Sequence, residues 1–548
     1  MNDDELDDYI PDIPHSGRPT IVDRIGNPPP PERPNDGGVG ADSRPTIRLA
    51  AGQTGRIVDE AELALINANR AGLYQRDGKI VYFARTPARR DTGEDTFVLQ
   101  ILERGEHALL CDMAASANFQ KFDKRSNKWI AADPPLPIVK ALREHALGNF
   151  RFPILHGVIT APTMRADGSI LSAPGYDEAT GLLFDPGGVR FPAITERPTR
   201  ADAEKALGSL CDLIKGFPFK QPHDHSVALS AILTACIRRS LPTAPLHAFS
   251  APTAGTGKGK LMDIACVIAT GYTAAPLARG ATDEEIEKRL AAKLMAGEPF
   301  IAIDNCTAPL GGDLICSMLT QERVSPRILG YSKAPSLSTG AFIAATGNNL
   351  AIKGDLIRRT MLSRIDANME QPENRVFASD PVATAKARRA ELVIAALTVL
   401  RAYHVAGRPK KPNPLGSFER WSDLVRGALI WLGAADPVES MNQLRRSDPV
   451  LEQIRAVMGQ WRAAVGGQNA TAADIIREAI DTSDGVKSDL REALMAVAGR
   501  GGALSGKALG IWLQAHQDRI VDGLYFARMG ERQGVAVWAL KNAGEQNG

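Results

Sequence analysis

A glycine-rich segment of the chain has the residue types that bind the phosphates of a nucleoside triphosphate. It spans 250–259, with the sequence SAPTAGTGKG, and it separates the apolar run 246–249 from the helix-like stretch 260–269. Backbone N–H groups of such a turn, and of the helix N-terminus behind it, face a bound anion. Lys258 would reach the β- and γ-phosphates of ATP. The cofactor-binding residues that this segment predicts are Ala254, Gly255, Thr256, Gly257, Lys258, Gly259 and Lys260.

The segment departs from the full phosphate-loop pattern at two positions. That pattern has a glycine, four residues, then Gly-Lys and a serine or threonine. Pro252 stands at the first glycine position, and Gly259 replaces the hydroxyl residue that would bind magnesium. A water or a shifted Thr256 would have to supply that ligand. The alternative interpretation is a surface turn that binds nothing, but the acid-terminated strand that follows favours a phosphate site.

A second apolar run, 299–304, ends in an acid that could hold the Mg²⁺ of the nucleotide. This acid is Asp304, and the residue after it is Asn305. Many ATPases of this architecture use glutamate there to polarise the attacking water. Asparagine can orient a water but cannot take its proton, so either hydrolysis is slow or a base comes from elsewhere.

Length and composition exclude several classes of protein. The 548 residues allow about three domains, and no apolar run is long enough for a membrane span. The acidic N-terminus is not a targeting peptide, and a net charge of +2 does not by itself indicate nucleic acid. The cysteines form no CxxC pair, which predicts buried free thiols in a reducing cytoplasm and excludes a zinc ribbon.

The N-terminal part divides into a tail and a module. Residues 1–50 are acidic and proline-rich and predict a disordered tail, whereas 51–190 predict a β-rich module with turns at 77–78, 125–127 and 167–168. The basic and aromatic residues of the module could stack on and neutralise single-stranded nucleic acid. They could equally be solvated strand faces with aromatic core residues. These residues are Tyr74, Arg76, Lys79, Phe122, Lys124, Arg125, Lys128 and Trp129.

A nucleotide-binding core is predicted at 246–370, between a helical connector at 191–245 and a helical lid region at 371–466. Three apolar runs of the core end in polar residues, which predicts an α/β fold with one parallel sheet and a ligand at the carboxyl ends of its strands. In the lid, aromatic and aliphatic residues at helical spacing predict a buried stripe. The stripe comprises Phe418, Trp421, Leu424, Val425, Leu429 and Trp431.

The C-terminal residues 467–542 predict a winged-helix domain, followed by a short tail at 543–548. Helical patterns precede two strand-like runs, so the third helix would be the recognition helix and the hairpin would be the wing. The alternative is a wing that docks a protein. The DNA-binding residues that this domain predicts are Lys507, Arg519, Arg528 and Arg532.

Together these motifs resemble the superfamily 3 and D5-like helicase domains of phages, prophages and plasmids, a branch of the AAA+ ATPases. The matching features are the phosphate loop, Ile303-Asp304, a basic hairpin at 327–333, Thr346-Gly-Asn348 and Arg358-Arg359. They cover about 246–366. The resemblance implies an AAA+ P-loop core, ATP and Mg²⁺ as cofactors, and assembly into a ring of identical subunits such as a hexamer.

The resemblance also implies roles for individual residues. The catalytic residues would be Lys258, Asp304, Asn305, Asn348, Arg358 and Arg359. Asn348 would position the attacking water, and Arg358 or Arg359 would reach the nucleotide of a neighbouring subunit. Arg327 and Lys333 would lie on a hairpin that grips DNA. The alternatives are a turn cap at Asn348 and a solvated strand start at the arginine pair.

The preferred function is an ATP-dependent DNA helicase or translocase of a phage- or plasmid-type replication system. Its partners would be single-stranded or forked DNA, further copies of the chain, and a separate primase or polymerase. One alternative is an ATP-binding initiator or loader that hydrolyses ATP weakly, which the residues Gly259 and Asn305 favour. Another is an AAA+ component of a regulatory or defence system.

Overall fold

The computed structural model of the chain describes residues 42–68, 72–88, 96–145, 151–278, 282–326, 335–375, 379–446, 449–480 and 485–544. Arg327 and Lys333, predicted to contact DNA, lie outside these ranges, as does the predicted tail up to residue 41. Within these ranges, every helix is too short or too polar to cross a membrane.

The N-terminal module combines helices with two small sheets. Its elements are β1 (Thr46–Leu49), α1 (Thr54–Ala68), β2 (Leu73–Arg76), β3 (Lys79–Ala88), β4 (Thr96–Glu103), α2 (Glu106–Ser116), β5 (Asn118–Asp123), β6 (Lys128–Ala131) and α3 (Leu136–His145). Strand β5 pairs in parallel with β1 and antiparallel with β6, whereas β2, β3 and β4 form an antiparallel meander.

Two predictions for this module differ from the structure. The predicted tail reaches residue 50, yet β1 lies in that range and contributes Ile47 to the core. The predicted β-rich module also contains α1 and α2. These helices were not predicted, because the turn signals of the hairpins dominated the interpretation of this segment. Ile57, Ala61 and Leu65 recur at helical spacing on α1 and are buried in the same core as Phe119 of β5.

Short strands and two helices connect this module to the main sheet. The strands are β7 (Gly157–Ile159), β8 (Thr163–Met164), β9 (Ile170–Leu171), β10 (Gly175–Asp177) and β11 (Leu182–Phe184), and the helices are α4 (Arg200–Ile214) and α5 (Pro222–Ile237). Thr199 caps α4, because its hydroxyl accepts from the Asp202 N–H while the Asp202 carboxylate accepts from the Thr199 N–H.

The described part of the central region holds a five-stranded parallel sheet with the strand order β13–β14–β17–β12–β18. Its elements are β12 (Leu246–Ala251), α6 (Lys258–Thr270), β13 (Pro276–Ala278), α7 (Asp283–Ala296), β14 (Phe300–Asp304), α8 (Asp313–Thr320), β15 (Arg323–Val324), β16 (Leu337–Ser338), β17 (Phe342–Asn348) and β18 (Thr360–Arg364). The predicted α/β fold with a parallel sheet is confirmed, and all strand ends that carry the predicted site meet at one edge.

The predicted lid region packs onto this sheet as part of one continuous core. Its helices are α9 (Pro381–Ala387), α10 (Arg389–Val405), α11 (Glu419–Trp421), a π-helical turn (Ser422–Arg426), α12 (Gly427–Trp431) and α13 (Glu439–Arg446). The predicted stripe from Phe418 to Trp431 is buried among the side chains of the sheet and of α5. Within it, the Trp421 indole N–H donates to the Thr234 hydroxyl at 2.8 Å.

A separate core forms at the C-terminus. Its elements are α14 (Pro449–Ala464), β19 (Ala470–Thr471), α15 (Ala472–Ile480), α16 (Gly485–Ala498), β20 (Gly499–Arg500), β21 (Ala503–Leu504), α17 (Gly506–Ala515), β22 (Leu524–Arg532) and β23 (Val535–Asn542). Helix α14 was predicted within the lid, but its Ile454 and Trp461 pack in this core with Leu513 and Phe526. The boundary therefore precedes α14. That the remainder is a winged helix stays a prediction.

Candidate nucleotide-binding site

The glycine-rich segment forms a loop between the end of β12 and the start of α6. Gly255 has a φ of 76° and Gly257 a φ of 107°, both in the left-handed region that glycine adopts without strain. Gly257 is also the N-cap of α6 and offers no side chain to cap it. The first N–H groups of α6 are therefore suited to an anion, which fits a triphosphate at this loop.

Neighbouring side chains approach two glycines of the loop closely. A Cβ on Gly255 would lie 2.9 Å from the Cβ of Glu373, and one on Gly257 would lie 3.0 Å from the Phe217 ring. A Cβ on Gly259, by contrast, would meet nothing within 4 Å. Gly255 and Gly257 are thus required by space as well as by backbone conformation, whereas Gly259 is not confined by its neighbours.

Lys258 connects the loop to the neighbouring strand. Its ammonium donates to the Thr253 carbonyl at 2.8 Å and to Asn348 Oδ1, at the end of β17, at 2.7 Å. Burial lowers the pKa of Lys258, and the charge of Asp304 opposes this shift. Three of the predicted site residues, Lys258, Asp304 and Asn348, therefore meet at the carboxyl edge of the sheet.

Thr346, on β17, fixes the acid of the site. Its hydroxyl donates a short hydrogen bond to Asp304 Oδ1 and accepts one from the Asn305 N–H at 3.0 Å. Only 2% of Thr346 is exposed, so water does not compete for these bonds. No separate role was predicted for this residue, because a threonine in an apolar run is equally typical of an ordinary strand.

Thr256 and Asn305 bear on the expectations for the magnesium ligand and for the catalytic base. The Thr256 hydroxyl is buried and donates to the Thr253 carbonyl at 3.1 Å, so a shift of this residue would be needed for it to bind magnesium, and that role stays a prediction. Asn305 has a φ of 52°, a left-handed conformation that asparagine tolerates far better than glutamate does. The left-handed backbone at residue 305 therefore favours asparagine over glutamate at this position.

The arginine pair lies at the opposite edge of the sheet. Arg358 and Arg359 end a 3₁₀ turn just before β18, and Thr360 of β18 pairs with Leu246 at the start of β12. At about 3.3 Å per residue, a strand of this length separates the pair from the phosphate loop by roughly 15 Å. Both guanidiniums bind the Asp355 carboxylate, but the Arg358 side chain is 48% exposed and that of Arg359 only 11%.

The predicted DNA-binding residues fall into two groups. Strands β15 and β16 pair antiparallel and flank the segment that carries Arg327 and Lys333, which lies outside the described residues. In the C-terminal module the predicted residues are all exposed, and two of them are already paired with acids. The exposed residues are Lys507, Arg519, Arg528, which binds Glu531 at 2.7 Å, and Arg532, which lies 3.6 Å from Asp474.

Comparison with known proteins gives no family. No family model matches the chain, and no curated protein matches it. An apo structure of the NrS-1 C-terminal region is 11% identical with a TM-score of 0.36, over 79% of this chain and 98% of that one. The JCV helicase is 12% identical with a TM-score of 0.18, over 49% of this chain and 73% of that one. Similarities this weak do not establish a shared fold or function.

Proposed function

We propose that this protein is an ATP-dependent DNA helicase or translocase of a phage- or plasmid-type replication system. The observation that carries the proposal is the hydrogen bond of the Lys258 ammonium to Asn348 beside the Asp304–Thr346 pair. A lysine, a polar strand-end amide and a held carboxylate at one sheet edge are the groups that position a triphosphate, a water and a metal.

Each group of the site has a separate task in this proposal. The N–H groups of α6 and the Lys258 ammonium hold the phosphates of ATP, and Asp304 holds Mg²⁺ with a water in place of the absent hydroxyl at Gly259. Bound Mg²⁺ supplies the positive charge that offsets the charge developing on the γ-phosphate. Asn348 orients the attacking water, and Asn305 leaves the site without an adjacent carboxylate base.

The proposal requires more than one copy of the chain. Arg358 lies at the edge of the sheet opposite to the loop of its own chain, and it is the more exposed arginine of the pair. It is therefore the candidate finger for the nucleotide of a neighbouring subunit, in a ring such as a hexamer. Hydrolysis would move the hairpins with Arg327 and Lys333 along DNA in the cytoplasm, and the winged helix would supply further DNA contacts.

The test is ATP turnover with and without single-stranded DNA. We expect DNA to stimulate turnover in the wild type and Lys258→Ala to abolish it, because that substitution removes the ammonium that holds the phosphates. Lys205→Ala is the control, since this exposed lysine lies on α4, outside the phosphate loop and α6. Turnover that survives Lys258→Ala would refute the proposed site.

The second candidate function is an ATP-binding initiator or loader with weak hydrolysis. Asn305 favours it, because the left-handed backbone there disfavours glutamate and no carboxylate follows Asp304 directly. Strand displacement separates the two functions. A helicase displaces a strand only with hydrolysable ATP, whereas a loader assembles on DNA equally well with a non-hydrolysable analogue.

A further inference from the structure

The sheet formed by β1, β5 and β6 has two unlike faces. Ile47 and Phe119 point to one face, where α1, α2 and α3 bury them. Strand alternation directs Phe122 to the other face, and register places Trp129 directly opposite Phe122 and Arg48 beside them. These residues are not core residues, since 44% of Phe122 is exposed and Trp129 is half-buried.

The aromatic residues on the open face form an ordered group. The ring centres of Phe122 and Trp129 lie 5.5 Å apart at an interplanar angle of 67°. The Arg48 guanidinium carbon lies 5.0 Å from the centre of the Trp129 ring. Two aromatic rings and a guanidinium, held on the rigid strands of a sheet, provide flat surfaces on which an unpaired base can stack.

The rim of this face is basic at the β5–β6 turn. The β5–β6 hairpin exposes four cationic side chains: Lys124 and Arg125 in its turn, and Lys121 and Lys128, which strand alternation directs to the same side as Ile130. The single acid among them, Asp123, is engaged by its own turn, where it accepts from the Ser126 hydroxyl at 2.7 Å and from the Arg125 N–H at 3.1 Å. These hydrogen bonds lower the pKa of Asp123. The charge around the aromatic pair is therefore complementary to a phosphodiester backbone.

We propose that this open face, consisting of Arg48, Phe122 and Trp129 with the basic hairpin rim, binds unpaired nucleotides of single-stranded DNA. Bases stack on Phe122 and Trp129, and Lys124 and Arg125 of the turn neutralise the phosphates. Duplex DNA is excluded as a preferred ligand, because its base faces are stacked on each other. The choice of DNA over RNA rests on the proposed replicative function.

Binding of labelled oligothymidine to the full chain tests the stacking. We expect Phe122→Ala and Trp129→Ala each to weaken binding by about fivefold or more, the range measured for loss of one base–aromatic stack. Ile130→Ala is the matched control, since Ile130 is 39% exposed on the same hairpin but its side chain lies on the opposite side of the strand. Unchanged melting temperatures of all three variants show that folding is intact.

Two outcomes would overturn this proposal. One is wild-type affinity in the Phe122→Ala, Trp129→Ala double variant, and the other is an equal loss of affinity for blunt duplex DNA. Oligouridine is a separate arm, and tighter binding of oligouridine than of oligothymidine would contradict the choice of DNA. Lys124→Gln should lower affinity and reduce the slope of log affinity against log salt by about 1.

A second measurement locates the contact directly. An oligonucleotide that carries 5-iododeoxyuridine should crosslink on irradiation to the peptide that contains 121–130, and the crosslink should disappear in the double variant. Crosslinks confined to other peptides would refute the proposal. ATP turnover without DNA should be unchanged in the double variant. If Lys258→Ala left turnover intact while the hairpin variants lost DNA, the proposed function would fail and this site would stand.

Discussion

The two edges of the five-stranded sheet carry charges in opposite states. At the carboxyl edge, the Lys258 ammonium donates to neutral oxygens of Thr253 and Asn348 within the described part of the chain. At the amino edge, Arg358 and Arg359 share the Asp355 carboxylate. A cation without a charged hydrogen-bond partner is suited to receive an anion, whereas a paired cation must first leave its own acid. In the proposed site, Lys258 could therefore bind an anion directly, whereas Arg358 and Arg359 would first have to break their ion pairs with Asp355.

Loss of the arginine at the amino edge gives the largest expected effect. Arg358→Ala should lower ATP turnover by about 10³-fold, as removal of an arginine finger does. Arg200→Ala is the control, because Arg200 is also exposed and paired with an acid, Glu204, at 2.8 Å. Mixing Arg358→Ala with Lys258→Ala should restore part of the activity, since each variant supplies the edge that the other lacks. No recovery on mixing would contradict a site shared between subunits.

The second-largest expected effect is that of removing the Thr346 hydroxyl, which donates to the Asp304 carboxylate. Thr346→Val should lower turnover by about 10- to 100-fold, because Asp304 and the Asn305 N–H both lose a partner that orients them. Thr360→Val makes the same change at the amino edge, where the Thr360 hydroxyl donates to the Leu356 carbonyl at 2.8 Å. That variant should lose stability but keep its turnover per folded molecule. Equal turnover in the Thr346→Val and Thr360→Val variants would contradict the assignment of the catalytic groups to the carboxyl edge.

The carboxylate beside the loop should oppose a triphosphate. Glu373 contacts the Cβ position of Gly255, and a charge a few ångströms from a phosphate costs about 1 kcal/mol in water. Glu373→Gln should therefore tighten ATP binding by about fivefold in a calorimetric titration at low salt. Glu370→Gln, at an exposed position nearby, should leave the affinity unchanged. Weaker binding in Glu373→Gln would mean that this carboxylate assists the nucleotide.

The smallest expected effect is a gain. A side chain at Gly259 would meet no neighbour within 4 Å, so Gly259→Ser can place a hydroxyl where the full phosphate-loop pattern has one. We expect turnover to rise about threefold and to saturate at lower Mg²⁺, since a ligand is added to the metal. Gly259→Ala separates this effect from the gain in helix propensity. An equal rise in both variants would show that the hydroxyl is not a ligand.

The sequence was sufficient to place the carboxyl edge. Lys258, Asp304 and Asn348 each follow or end an apolar strand, and parallel strands bring such ends together whatever the length of the connections. The sequence was not sufficient to predict contacts between residues that are distant in the chain. Nothing local to Glu373 indicates that it meets Gly255, and a threonine in an apolar run, such as Thr346, is equally typical of an ordinary strand.

The module boundaries were predicted less well for a different reason. Helix α14 has an apolar face that fits a core on either side of it, so only the packing of Trp461 against Phe526 assigns it to the C-terminal module. Strand β1 follows a proline-rich, acidic stretch and is too short to show a period of its own. Its partner β5 is distant in sequence, and the pairing is visible only in three dimensions.

The left-handed backbone at Asn305 limits how this protein could evolve faster chemistry. Of the side chains that this conformation accepts readily, only aspartate would add a carboxylate, and it is one methylene shorter than glutamate. A lineage under selection for speed would therefore have to remodel the chain around residue 305 before it could install the longer acid. Slow turnover would then be maintained by the backbone conformation at residue 305, and a single side-chain substitution would not remove it.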